Sequence, residues 1–355
     1  MPSTTAEPLP TEHRRADRPA TLRPHHRRNA LLALALLILL LASLLASLAV
    51  GARPVPIPVV LEALTAPDPT LPDHAVIWDG RLPRTLTGLL AGAGLGVAGA
   101  LMQAVTRNPL ADPGLLGVNA GAAFAIVLGV GFLGSTTTLV TIWFALAGAI
   151  LAAIGVYLVG GRGRGAADPA RLTLAGVALG AVLLGLGQGL ALLRPRAYDQ
   201  LRAWQLGTLD VRSMEPVLVA APFIVVGLLL ALGLTRGLNA IALGDDLARA
   251  VGARLGRTRV LAVLAVTLLA GASTAVAGAI AFVGLIVPHA VRRVAGPDQR
   301  WVVGLSVLAS PTLLVVADVI GRRLTSGEVP VGVVTAFIGG PVLVAVARAR
   351  RVRTL

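Results

Sequence analysis

Two residue types are missing from this chain of 355 residues, which contains neither cysteine nor lysine. Without cysteine the chain forms no disulfide, ligates no iron–sulfur cluster and performs no thiol chemistry. All 31 basic residues are arginine, so the chain does not supply the lysine with which a Walker A loop binds phosphates. If the protein depends on ATP, a partner must hydrolyse it.

Charged and aromatic side chains are also scarce, at 14% and 3% of the residues, whereas 55% of the residues are hydrophobic. With a mean hydropathy of +0.81, the chain is too apolar for a water-exposed surface of this size. Residues 31–50 form an uncharged run that is long enough to cross the hydrocarbon core of a bilayer. The run exceeds the apolar region of a cleaved signal peptide, and further runs follow it, so the sequence predicts a polytopic membrane protein.

The net charge of +14 would favour nucleic-acid binding in a soluble protein. Here the arginines cluster between apolar runs, where they meet anionic headgroups, so membrane lipid is the expected partner and nucleic acid is not. The first 28 residues are rich in proline, arginine, threonine and glutamate and predict a disordered cytoplasmic tail. Residues 29–355 then form one transmembrane domain.

Apolar runs between polar breaks predict an all-α membrane domain of about ten helices. We place them near residues 30–50, 84–106, 115–133, 138–160, 171–193, 216–235, 258–275, 277–292, 301–318 and 331–347. An even number puts both termini on one side, and the arginine-rich ends assign that side to the cytoplasm. Residues 194–215 are an exception, because they carry four arginines on the side predicted to be extracytoplasmic.

Glycine-rich helices run into proline-broken segments in both halves of the chain, which predicts an inverted repeat. The segments are residues 92–99 leading to Asn108 and Pro109, and residues 271–284 leading to Pro288 and His289. Small residues stand four apart in the first of these helices, a spacing that lets helices pack closely and that also serves a gate. The pathway or gate candidates are Gly92, Gly96, Gly99, Gln103, Asn108, Pro109, Pro288 and His289.

Arg81 and Arg84 lie three residues apart at the predicted outer end of the second span, roughly on one face of the emerging helix. Arginines are disfavoured on that side of a membrane. They either reach lipid phosphates or form a rim on which a carboxylate-bearing partner docks. Composition alone favours the lipid contact.

Residues 243–256 form a predicted cytoplasmic insertion that is too polar to span the membrane. The expected elements are a capping Asp245, a short helix with Leu247, Ala248 and Val251, a turn at Gly252 and another helix that begins at residues 253–255. One alternative is an interfacial helix that lies on lipid headgroups. Two short helices with a tight turn better suit an apolar knob that enters the cleft of a partner protein.

His289 and Asp318 are ionisable groups near apolar helices, so a proton relay is one interpretation. In the structural alternative, His289 caps carbonyls freed by Pro288, and Asp318 pairs with Arg322 one turn away. The sequence offers no paired carboxylates, no metal-ligand spacing and no nucleophile constellation. It therefore predicts neither an enzyme nor a metal or cofactor site.

Six separated motifs form a recognisable set. They are residues 81–84, Gln103 with residues 107–113, residues 243–246 with Leu255 and Gly256, residues 282–289 with Arg292, Ala317 and Asp318 with Arg322, and residues 328–332. Together they resemble the FecCD family, which comprises permeases of ATP-binding-cassette (ABC) importers for ferric siderophores, haem and cobalamin. The match runs in order from about residue 30 to the C-terminus.

The resemblance implies a type II importer fold with ten spans and a second permease subunit that is identical or paralogous. It also implies two cytoplasmic ATPase subunits that bind ATP and magnesium, and an extracytoplasmic solute-binding protein. Arg81, Arg84 and Arg322 then receive glutamates of that protein, which favours docking over lipid contact. Residues 243–257 look like coupling helices that seat in the ATPase. The implied coupling residues are Leu243, Gly244, Asp245, Asp246, Leu247, Ala248, Val251, Gly252, Leu255 and Gly256.

The expected function is therefore import of an iron siderophore or a similar metal chelate across the inner membrane by alternating access, driven by the partner's ATP binding and hydrolysis. The family usually has an aromatic residue shortly after the proline of the last span, whereas Val342 follows Pro341 here, so the identity of the chelate stays open. The rival is a proton-coupled secondary transporter that uses His289 and Asp318. Such a carrier does not need the insertion at residues 243–256.

Overall fold

The computed structural model describes residues 23–51, 53–134, 137–160, 169–250, 252–325 and 327–349, which contain helices and no strand. The α-helices are α1 (Arg23–Ala49), α2 (Ile57–Thr65), α3 (Pro72–Val76), α4 (Leu82–Thr106), α5 (Val118–Leu133), α6 (Thr138–Gly160), α7 (Pro169–Leu192), α8 (Pro195–Leu206), α9 (Met214–Ala242), α10 (Asp245–Ala250), α11 (Leu255–Ala277), α12 (Val283–Ala295), α13 (Gln299–Leu324) and α14 (Val331–Ala349). One π-helical turn, Ile77–Arg81, joins α3 to α4.

Each of the ten predicted spans corresponds to one helix in the described residues, so the all-α prediction is confirmed. Seven segments are long and apolar enough to cross a membrane, with residues 72–106 counted as one segment. Helices α5 and α14 are shorter apolar helices. We call the end of the bundle that holds α8 the outer end and the end that holds α10 the inner end. Which side of the membrane each end faces, and the inverted repeat, stay predictions.

The predicted eighth span at residues 277–292 begins too early, because α12 begins only at Val283. This helix covers only about half of a membrane. Its 13 residues extend about 20 Å at 1.5 Å per residue. Helix α11 ends before Gly278, whose φ of 75° favours glycine. The Ala279 N–H then donates to the Trp204 carbonyl at 3.1 Å. Non-helical backbone is tolerated in a membrane protein where the protein satisfies its polar groups, as Trp204 does for this N–H.

Helix α8 explains the four arginines that disagreed with the charge rule. It is amphipathic, with Ala197, Leu201 and Trp204 buried at helical spacing. The arginines at positions 194, 196, 202 and 212 are all exposed. These arginines belong to the polar side of a surface helix and to the segment after it. The predicted number and order of the spans therefore stand. None of the predicted helices covers this helix, and none covers α2 or α3.

Some predictions fall on residues that the structure leaves undescribed. The predicted tail covers residues 1–28. Helix α1 begins at Arg23, so residues 23–28 of this tail are helical, and residues 1–22 lie outside the described part. Two arginine-rich stretches also lie outside the described part. They are residues 350–355 at the C-terminal end and the loop between α6 and α7 with Arg162 and Arg164.

Helix α4 is the central helix of the bundle, and the close packing predicted from its small residues is confirmed. A Cβ at Gly92 would lie 2.5 Å from Cα of Pro311 in α13, and a Cβ at Gly96 would collide with the Ser310 side chain. Backbones approach this closely only where both surfaces carry small residues. The packing fixes α13 against α4 and so positions the charged residues at the outer ends of both helices.

Candidate functional sites at the two ends of the bundle

A buried ion cluster joins α4 to α13 at the outer end. Arg84 donates to both carboxylate oxygens of Asp318, from Nε at 3.2 and 3.1 Å and from Nη2 at 2.8 Å. Arg322, one turn after Asp318, donates to the same carboxylate from Nε at 2.9 Å. Asp318 is 1% exposed, so one buried carboxylate lies between two guanidinium groups. The predicted Asp318–Arg322 pair is present.

Two arginines also hold the end of α1. Arg322 donates from Nη1 to the carbonyls of Ser47 and Val50, at 2.9 and 3.0 Å. Arg81 donates from Nη1 to the carbonyls of Leu48 and Ala49, at 2.6 and 2.9 Å. The last carbonyls of a helix lack intrahelical donors and carry partial negative charge, so a cation satisfies both needs. The side chains of Arg81 and Arg322 are thus bonded inside the protein.

Exposed carboxylates meet the remaining nitrogen of Arg84. Its Nη1 lies 2.5 Å from Oε2 of Glu328 and 3.8 Å from Oδ1 of Asp210. The side chains of Glu328 and Asp210 are 46% and 42% exposed, against 2% for Asp318. A cavity of about 560 Å³ opens at this point. We call Arg81, Arg84, Asp318, Arg322 and Glu328 the outer cluster.

The structure brings the three predicted docking arginines together but buries them, at 7 to 8% exposure. Arg81, Arg84 and Arg322 contact neither water nor lipid freely, because carbonyls and carboxylates of the same chain surround their guanidinium groups. All three arginines line the cavity, and Arg84 Nη1 pairs there with two exposed carboxylates. The docking role itself stays a prediction.

At the inner half, Gln103 supports the broken helix α12. Pro288 has no N–H, so the Gly284 carbonyl lacks its helical donor. The Gln103 amide nitrogen donates to that carbonyl at 3.3 Å and to the Leu285 carbonyl at 3.0 Å, while Gln103 Oε1 accepts from Arg292 at 3.1 Å. The sequence analysis assigned the freed carbonyl to His289, whereas Gln103 reaches it.

The connection after α4 is a structured turn. Asn108 Oδ1 accepts from the Leu110 N–H at 2.9 Å, and Asp112 Oδ1 accepts from the Gly114 N–H at 2.8 Å, where it caps a short 3₁₀ helix. Burial raises the pKa of the Asp112 carboxyl above its usual range, and the hydrogen bond offsets part of that rise. Pro109 lines a small cavity of about 120 Å³ together with His289.

Asp245 is the centre of a second charged cluster, at the inner end. It is the first residue of α10 rather than its cap, so the predicted capping role is wrong. Its carboxylate forms ion pairs with Arg107 and with Arg259, the latter at 2.9 and 3.0 Å. Arg107 follows α4 in a left-handed conformation, with φ of 50°. Through Asp245, α10 is therefore tied to the end of α4 and to the first turns of α11.

The predicted apolar knob is present, but with different residues. Leu243, just before α10, and Leu247, on α10, are 58% and 61% exposed, whereas Ala248 is fully buried and Val251 lies outside the described residues. Ala248 cannot contact a partner because it packs inward. The turn at Gly252, with φ of 79°, agrees with the prediction.

The second short helix of the knob is absent from the described residues. Leu255 and Gly256 begin the membrane-spanning helix α11. The other residues of the coupling set keep their predicted positions: Gly244 makes the turn before α10 with φ of 97°, and Asp246 is exposed on α10. In the described part of the chain, the knob therefore consists of α10 and the two leucines.

A family model described as the FecCD transport family matches residues 38–349. The chain belongs to the FecCD transport family. The family resemblance drawn from the six motifs is confirmed, and so is the expectation of a membrane permease that takes part in transport. Helices and family together make it a multi-pass protein of the membrane.

Curated relatives of this FecCD permease cover most of its length. The ferric enterobactin transport system permease protein of Escherichia coli (strain K12) is 51% identical over 314 residues, which are 88% of this chain and 93% of the relative. The Fe(3+)-citrate import system permease protein of Bacillus subtilis (strain 168) is 40% identical over 289 residues, 78% of this chain and 86% of the relative. The cobalamin import system permease protein of Halobacterium salinarum is 38% identical over 287 residues, which are 80% of this chain and 77% of the relative.

A solved structure supports the fold of this FecCD permease. It is described as an inward-facing conformation of a metal-chelate type ABC transporter, and it superposes with a TM-score of 0.78 over 90% of this chain and 99% of that chain. The sequence identity is 24%, so the comparison concerns the fold alone. It agrees with the predicted type II importer fold.

Proposed function

We propose that this permease imports a ferric siderophore across the cytoplasmic membrane, with both termini in the cytoplasm. The proposal rests on the relative for ferric enterobactin, which is 51% identical over 93% of its own length. The relatives named for citrate and cobalamin are less similar, at 40% and 38% identity. Among these chelates a catecholate siderophore of the enterobactin type is therefore the favoured cargo.

The energy comes from a separate ATPase, with ATP and magnesium bound on that partner and no cofactor bound by this chain. The chain has no lysine for a phosphate loop, and it presents Leu243 and Leu247 on the inner end. In the proposed assembly, two permease subunits form the pathway and two ATPase subunits receive their α10 knobs. The ties from Asp245 to Arg107 and Arg259 transmit movement of α10 to α4 and α11.

An extracytoplasmic solute-binding protein docks on the outer cluster. Its carboxylates approach Arg84 Nη1, the guanidinium nitrogen that pairs with the exposed carboxylates of Glu328 and Asp210. Because Glu328 and Asp210 already lie there, the incoming carboxylates displace these exposed side chains, while the buried Asp318 stays in place. Exposed charge pairs of this kind set register and association rate more than affinity.

The substrate pathway runs along the glycine-rich face of α4 and the broken helix α12. Gly92, Gly96 and Gly99 permit close packing there, and Gln103 connects α4 to α12. Alternating access then requires rigid-body movement of packed helices rather than chemistry on the cargo. Asn108, Pro109, Pro288 and His289 remain the candidates for the inner gate.

The secondary-transporter alternative receives little support from the charged groups. Asp318 is engaged by two arginines at the outer end, whereas His289 lies in the inner half, in the small cavity beside Pro109. A proton relay needs ionisable groups that follow one another along a path. These two groups belong to separate sites in the described part of the chain.

Deletion of the gene in the organism that makes this permease tests the cargo. Cells are supplied with radioactive iron as ferric enterobactin, ferric citrate or a ferric hydroxamate, or with radioactive cobalamin. We expect uptake of ferric enterobactin to fall to background and to return when the chain is expressed from a plasmid. Uptake of all four compounds at the level of the parent strain would contradict the proposal.

A further inference from the structure

A second cavity, at the inner end, has no part in the transport mechanism described above. It measures about 520 Å³ and lies between the start of α1, the end of α9 and the connection from α12 to α13. His26, Arg28, Asn29, Asp298 and Trp301 line it. Because the membrane-crossing part of α1 begins at His26, the cavity lies at the level of the lipid headgroups.

One side of the cavity is basic. Arg28 is exposed, and its Nη2 donates to the Val294 carbonyl at 2.7 Å, which fixes the guanidinium group over the end of α12. The His26 ring lies 6.1 Å from the Trp301 ring, at an angle of 49°. Tryptophan is typical of the membrane interface. Arginine and histidine at this depth form a site for a lipid phosphate.

Hydrogen-bond acceptors also line the cavity. Asn29 is 2% exposed; its Nδ2 donates to the Ala295 carbonyl at 3.0 Å, and its Oδ1 has no partner among the described residues. Asp298 caps α13, and its Oδ1 accepts from Asn239 at 2.8 Å and from the Arg300 N–H at 3.0 Å. In the described structure the second carboxylate oxygen, Oδ2, accepts no hydrogen bond. A buried amide oxygen and a carboxylate require an N–H donor or a cation.

We infer that this cavity binds the headgroup of phosphatidylethanolamine. The phosphate lies against Arg28 and His26, and the primary ammonium donates to Asn29 Oδ1 and Asp298. Phosphatidylcholine carries the same charges but has no N–H to donate, and phosphatidylglycerol has the phosphate but no cation. These acceptors therefore select ethanolamine over both. Leu243, the first residue after α9, also lines the cavity, so the bound headgroup supports the base of the α10 knob.

Native mass spectrometry of the purified, delipidated full chain tests the inference with three lipids of identical acyl chains. We expect phosphatidylethanolamine to be retained about tenfold more than phosphatidylcholine or phosphatidylglycerol, because one hydrogen bond to a charged group contributes roughly that factor. In Asn29→Ala the preference over phosphatidylcholine should fall several-fold, because Asp298 is then the one acceptor left for the ammonium. In Arg28→Gln, a change on an exposed side chain that leaves the fold intact, retention of phosphatidylethanolamine and phosphatidylglycerol should both fall.

Two results would overturn the inference. Equal retention of the three lipids by the unmodified chain would mean a nonselective lipid contact. If neither Asn29→Ala nor Arg28→Gln changes the retention of phosphatidylethanolamine, the lipid binds elsewhere on the protein.

Discussion

Gly99 of α4 and Gly284 of α12 meet backbone to backbone, so that a Cβ at Gly99 would lie 2.6 Å from the Gly284 Cα. The contact places the first turn of the half-length helix beside the middle of the central helix. It also brings Gln103, one turn further along α4, within reach of the Gly284 carbonyl that Pro288 leaves free and of the Leu285 carbonyl.

Gly99→Ala should therefore destabilise the protein by about 1–3 kcal/mol, the usual cost of forcing extra atoms into a packed interior. The measurement is thermal unfolding of the purified chain in detergent. The matched control is Gly233→Ala in α9, where an added Cβ meets nothing within 4 Å. An unfolding temperature of Gly99→Ala equal to that of the control would show that the two helices do not touch here.

Asp318→Asn should be more damaging, because it leaves the buried guanidinium groups of Arg84 and Arg322 without their shared carboxylate. Removing one partner of a buried ion pair typically costs about 3–5 kcal/mol. Glu62→Gln, on an exposed carboxylate of α2, changes the charge equally and should have no effect on unfolding. If the two variants unfold alike, the outer cluster does not stabilise the fold.

Glu328→Gln should strengthen docking of the solute-binding protein, since it weakens the internal carboxylate that occupies Arg84 Nη1. We expect an increase in affinity of a few-fold, within the range of about 0.2–1 kcal/mol for exposed ion pairs. The measurement uses the binding protein that copurifies with the permease complex, immobilised on a sensor surface. Glu62→Gln again controls for net charge, and weaker docking of Glu328→Gln would argue that Glu328 itself contacts the partner.

Leu247→Asp should separate the ATPase from the permease without unfolding it, because Leu247 is exposed on α10. Ala248→Asp differs by one position, yet it places a charge at a fully buried site and should lower the unfolding temperature instead. Copurification of the ATPase subunit and thermal unfolding distinguish the two effects. A Leu247→Asp variant that still retains the ATPase would remove α10 from the proposed interface.

The positions of the ten membrane helices could be predicted because runs of apolar residues report directly on the bilayer. Interruptions were harder to place. The break between α11 and α12 depends on Gly278 and on the Trp204 carbonyl more than 70 positions away, a contact that no local pattern reveals. Helix α8 was missed because its apolar residues are few and its arginines suggested a loop.

The candidate sites show the same limit. The motif at residues 81–84 marked two arginines that the fold gathers at one end of the bundle, but the sequence gives no sign that α1 ends beside them and that its carbonyls accept from Arg81. Likewise, Asp245 is a plausible helix cap by position, and only the fold brings Arg107 and Arg259 to its carboxylate. The sequence also does not show that Leu247 faces outward on α10 while the next residue, Ala248, packs inward.

The central claim is that this chain provides a path and borrows its energy from a partner that hydrolyses ATP. Uptake of the ferric chelate into two liposome preparations tests this claim. In the first, the permease is reconstituted alone under a proton gradient. In the second, it is reconstituted with its ATPase subunit, with ATP inside the liposomes and the loaded binding protein outside. The account predicts accumulation of the ferric chelate only in the second preparation. Accumulation by the permease alone, driven by the proton gradient, would contradict it.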